Sequence, residues 1–224
     1  MDNLAEKYNY KGHEIQILFD NDSESPRDWD NIGTMVCFHN RYSLGDKHDL
    51  SKEMFNGWEE LRRHLIKEER AVVILPLYLY DHSGITMNTT GFSCPWDSGQ
   101  VGYIYATRED ILKNVSCGGK RLTKALKDKA KEILEAEVKT YNQYLTGDVY
   151  GFIVDKDTDY EDSCWGFYGI EDLKKEVEHS VDIFESEVEL AKNTPEDDLP
   201  LLLDRKWGNS KAEETYKERF KGSK

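Results

Sequence analysis

Three residues inside a sixteen-residue stretch are of the types that a thiol enzyme uses. They are Cys94 as nucleophile, His82 as base and Asp97 as the carboxylate that would orient the imidazole. Such a mechanism needs the base beside the thiol and a third group fixing the base. The surroundings argue against it. None of the local signatures of cysteine enzymes flanks them, and Cys94 precedes Pro95, which biases it to extended backbone. Activated thiols sit instead at helix N-termini or beside cations. Thr86, Asn88, Trp96 and Ser98 share the segment. Small polar groups between two β-prone runs need partners, because an unpaired buried polar group costs about 1–3 kcal/mol. The stretch is therefore either a closed structural network or a recognition surface.

Metal and phosphate chemistry fare worse. Cys37 and His39 are two apart and would share one face of a strand, but no second pair completes a tetrahedral zinc site. Asp155, Asp157 and Asp159 match the first three ligand positions of an EF-hand loop. Its sixth position holds Tyr160 where glycine is needed, and its twelfth holds Gly166 in place of glutamate. Cys117-Gly118-Gly119-Lys120 resembles half of a phosphate loop, then continues with Arg121 rather than Ser or Thr. No cofactor is expected, and no enzymatic activity.

Charge is more telling. The 224 residues carry a net −14, and the segment Asp155–Asp198 has sixteen acidic against four basic residues. The rest of the chain is close to neutral. Direct nucleic-acid binding is disfavoured, since it requires a cationic footprint, whereas a basic partner would be steered in. Four widely spaced cysteines without an export signal read as reduced thiols. No apolar run approaches the roughly 18 residues of a membrane helix, so a cytoplasmic protein is expected.

The elements that must position these groups follow from periodicity. Residues 7–20 alternate as a hairpin with Lys11-Gly12 at its turn, and Thr34–His39, Val72–Tyr80 and Val101–Thr107 read as strands. Ser51 is placed to cap a helix carrying Phe55, Trp58, Leu61, Leu65 and Ile66 on one face. Thr107 and Asp110 form a capping-box pattern ahead of a short helix. A long amphipathic helix is expected over 122–145, stopped by Gly147. Strands at Val149–Val154 and Ser163–Tyr168 follow, then a helix over 170–191 with Leu173, Val177, Val181, Phe184 and Val188 inward. The order predicts an α+β fold: one domain over 1–192 with a mostly antiparallel sheet and about four helices, then a polar tail over 193–224. The tail's one apolar cluster, Leu199–Leu203, is a docking candidate, and a homodimer is possible.

The motifs NIGTMVCFHNRYSLGD (31–46), LPLYLYDHSGIT (75–86), FSCPWDSGQVGYIY (92–105) and YNQYLTGDVYGF (141–152) resemble a family of small proteins carried by bacteriophages and other mobile elements. The resemblance spans roughly residues 7–170 and supplies no catalytic residues. It implies an anti-CRISPR role against a type II CRISPR effector nuclease. Glu171, Asp172, Glu178, Asp182, Glu185 and Glu189 would then act as an outward row of phosphate surrogates on a basic nucleic-acid-binding host protein. The alternative reading is that the His82–Gly102 segment binds or hydrolyses a small signalling nucleotide.

Overall fold

The computed structural model describes residues 3–116, 121–158 and 161–193. Asp159, Cys117–Lys120, the tail with Leu199–Leu203 and the side chain of Val188 lie outside the described residues. The fold is α+β, with four α-helices and two antiparallel four-stranded sheets among the described residues. One sheet was expected. The chain instead clusters into two compact units, with boundaries after Asp20 and after Val149.

One unit, outer in sequence order only, is made from both ends of the chain and the inner unit from the residues between them. Strands β1 (Leu4–Tyr10) and β2 (His13–Phe19) form the expected hairpin. Lys11 and Gly12 both take positive φ, +50° and +91°, as a two-residue turn between twisted strands requires. β7 (Val149–Val154) pairs antiparallel with β2, and β8 (Asp162–Tyr168) completes the order β1-β2-β7-β8. Helix α4 (Ile170–Lys192) covers one face. Its Leu173, Val177 and Val181 bury against Ile15, Ile17 and Phe152. The alternation in β2, with His13, Ile15 and Ile17 buried, is what makes that face apolar.

The inner unit holds β3 (Thr34–Cys37), α1 (Trp58–Lys67), β4 (Ala71–Asp81), β5 (Ile85–Asn88), β6 (Ser98–Thr107), α2 (Arg108–Asn114) and α3 (Lys124–Thr146). Its sheet order is β3-β6-β4-β5. Ala130, Leu134, Val138 and Tyr141 of α3 pack with Met35, Leu77 and Ile104 on one face, while Leu61 and Leu65 of α1 meet Val36, Tyr103 and Tyr105 on the other. Two sheet faces, each apolar, explain why β4 and β6 read as continuous hydrophobic runs.

Helix ends follow local chemistry. Thr107 and Asp110 form the capping box, Thr123 Oγ1 accepts from the Leu126 N–H at 3.3 Å, and Gly147 stops α3 at φ +71°. One start differs from expectation. Ser51 heads only a short 3-10 turn over Lys52–Met54, and α1 begins at Trp58 behind Gly57. Gly57 has φ +92°, incompatible with helix, so the chain breaks there.

A buried ion knot fixes the start of the inner unit. The Arg27 side chain, 5% exposed, donates twice to Asp46 at 2.8 Å, to Glu137 of α3 at 3.1 Å and to the Gly33 carbonyl at 2.6 Å. Glu137 in turn accepts from the Ile32 and Gly33 N–H groups. A Cβ at Gly33 would lie 2.4 Å from Leu134, so only glycine lets the loop approach α3 this closely.

Candidate functional site

The polar segment resolves mainly into turn chemistry. Asn88 Oδ1 accepts from the N–H groups of Thr90 and Gly91 at 3.1 and 2.7 Å, closing the turn after β5. Thr86 is a strand residue opposite Tyr80. Ser98 Oγ donates to the Cys94 carbonyl. Asn88 and Ser98 thus bond to backbone groups within the segment.

The Cys94, His82 and Asp97 trio does converge, but in the wrong order for nucleophilic attack. Asp97 Oδ2 receives the Cys94 thiol at 3.6 Å and lies 3.5 Å from His82 Nδ1. The carboxylate sits between thiol and imidazole, so the base is not beside the nucleophile. His82 is also 63% exposed, with its ring stacked on Tyr80 at 6.0 Å between centroids.

Cys37 and His39 diverge as well. Cys37 is buried, and burial pushes its thiol up to about 12, which makes it an inert core group. His39 stacks on Tyr42 with ring centroids 5.1 Å apart. Asp155 is committed to β2: it accepts from the Glu14 N–H at 2.9 Å and lies 2.6 Å from His13 Nδ1. Among the described residues no group of three His, Cys, Asp or Glu side chains is placed to hold a metal ion.

The acidic row on α4 divides. Positions 171, 178, 182, 185 and 189 fall on one side of a helix, since seven and eleven residues are close to whole turns. The middle of that row turns toward the hairpin. Asp182 accepts from Tyr10 Oη at 3.0 Å and pairs with Lys11 at 2.8 Å. The Lys11 ammonium and the Tyr10 hydroxyl hold its carboxyl below the usual carboxylate range. Glu185 lies 2.9 Å from Nε2 of buried His13. Glu178 is half-buried. With Tyr8 itself partly buried, burial first and then the Glu178 charge push the Tyr8 phenol up to about 12.

Asp182 and Glu185 anchor the helix to its own sheet, and Glu178 is half-buried, a correction to the outward row expected from periodicity. Glu171, Asp172 and Glu189 are exposed, Asp172 in a surface pair with Lys175 at 3.0 Å. Sequence reasoning missed the other exposed acids here, Glu176 on α4 with Glu161 and Asp162 at the β7–β8 turn. Glu176 was legible, since it lies one residue before inward Val177 and so points away from the core.

A second feature was not anticipated. β3 ends at Cys37 while β6 extends to Ser98, and past the Phe38 N–H bond to the Val101 carbonyl at 2.8 Å the two chains part. The gap is a cleft of about 340 Å³. Trp96, Asp97 and Ser98 of the polar segment line it, together with Phe38 and Trp58; His82, Thr86, Asn88 and Cys94 do not. No described helix is long and apolar enough to cross a membrane. No protein-family model, curated protein or solved structure matches this chain.

Proposed function

We propose that the chain is a non-enzymatic, cytoplasmic binding protein that engages a basic protein surface, a host defence nuclease of the CRISPR effector class being the partner its motifs imply. The observation that carries this reading is the acidic excess between Asp155 and Asp198, sixteen acids against four bases, eight of those acids lying in α4, where Glu171, Glu176 and Glu189 are exposed. Complementary charge accelerates encounter and selects basic partners. Asp182 and Glu185 hold α4 in place rather than touching the partner.

The test is binding to a guide-loaded type II effector nuclease across ionic strength. Affinity should fall at least about tenfold between roughly 50 and 300 mM salt, because exposed charges separated by more than a Debye length are screened. Combined Glu171→Lys, Glu176→Lys and Glu189→Lys should abolish binding with the melting temperature preserved. A salt-independent affinity, or a triple variant that binds like the parent, rules the reading out.

A further inference from the structure

The cleft between β3 and β6 is sorted by chemistry. One wall is the Trp58 indole, backed by Phe38 in a stack with centroids 6.3 Å apart and planes at 21°. At the rim stands Trp96, 91% exposed. So large an apolar ring in water contributes little to folding. Asn40 and Gln100 supply carboxamides to the lining. The two carboxylates, Asp81 and Asp97, are already engaged by Arg41 and His82. Lys52 is different: its ammonium lies 6.0 Å over the Trp58 ring and has no carboxylate partner among the described residues. The cleft thus offers flat aromatic faces, hydrogen-bonding amides and one cation held only by an aromatic face.

We propose that this cleft binds a flat heteroaromatic group carrying a phosphate, the chemistry of a nucleoside 5′-monophosphate. The ring stacks on Trp96 and takes the place of the Lys52 ammonium over Trp58, Asn40 and Gln100 meet its polar edges, and the displaced Lys52 takes the phosphate. The volume of about 340 Å³ suits a single such unit. A longer strand is opposed by the net charge of −14, which repels successive phosphates. The site is independent of the acidic surface of α4.

Full-length protein is titrated with AMP, GMP, CMP and UMP, with the matching nucleosides, and with a 5′-phosphorylated tetranucleotide, read by tryptophan fluorescence and calorimetry. At least one mononucleotide should bind saturably and more tightly than the tetranucleotide. Lys52→Gln should weaken the mononucleotide about tenfold and leave its nucleoside unchanged, as loss of a charge-assisted contact does. Trp96→Ala should weaken both about tenfold, the expected loss for a stacked base. Both side chains are exposed, so unchanged melting temperatures certify the fold. No saturable mononucleotide binding, binding indifferent to both substitutions, or preference for the tetranucleotide overturns the proposal. So does finding instead an extended peptide seated along Ser98–Gln100.

Discussion

The two units solve one problem with the same wiring and different atoms. Each ties its long helix down with a buried cation gripped by two carboxylates. In the inner unit Arg27 joins Asp46 to Glu137 of α3; in the outer unit His13 joins Asp155 to Glu185 of α4. The cations are equally hidden, 5% and 7% exposed. Burial opposes the charge in both, and in both the carboxylate hydrogen bonds outweigh it and raise the group above its ordinary value. The contrast is in what a proton can do. A guanidinium keeps its charge at any physiological pH, whereas an imidazole loses it within that range. One clamp is permanent and the other conditional.

The largest effect tests the permanent clamp. Arg27→Met leaves Asp46 and Glu137 facing each other with no cation, and stranding a buried ion-pair partner costs about 3–5 kcal/mol. Urea denaturation followed by circular dichroism should show that loss unchanged between pH 6 and 8. Adding Glu137→Leu should restore part of it, because the second uncompensated charge is then gone. A loss below about 1 kcal/mol would mean that water already reaches the knot.

His13→Gln tests the conditional clamp and should cost less, about 1–3 kcal/mol, because Glu185 is one-third exposed and its charge is screened. The sign with pH is definite. His13 is raised in the folded protein, so the charged imidazole stabilises fully below its unfolded value of about 6.5. That contribution disappears as pH climbs through the raised folded value. The stability difference between parent and His13→Gln should therefore be greatest in acid and shrink toward alkaline pH. The other histidines are present in both proteins and cancel. A difference that is flat with pH would mean the imidazole is neutral in its clamp throughout.

Both clamps explain why the sequence was only half legible. Strands, the Lys11-Gly12 turn, the Thr107 capping box and the Gly147 stop were readable because each is set by neighbours within a few residues. The division into two sheets was not, because β2 must pair with β7 across more than a hundred intervening residues. The clamps join residues 13 with 185 and 27 with 137, and nothing local marks them. The α4 carboxylates show the same limit. Periodicity placed them on one side of the helix, but only the hairpin beside it reveals that Asp182 and Glu185 are already matched. The cleft was half visible: its Trp96–Ser98 rim lay in a segment dense enough to notice, while Lys52, Trp58 and Phe38 lay far upstream.

The smallest effect sharpens where clamp ends and surface begins. Asp182 bonds Tyr10 and Lys11, yet its side chain is 43% exposed, so the pair lies in water's reach. Asp182→Asn should lower the melting temperature least of the three substitutions, and the loss should vanish near 0.5 M salt, where the screening length drops to a few ångströms. Partner affinity should equal the parent's, since the hairpin rather than the partner uses this carboxylate. If Asp182→Asn weakened the partner as much as Glu189→Lys while leaving stability untouched, the hairpin contacts would be incidental. The binding face would then run unbroken along the whole row from Glu171 to Glu189.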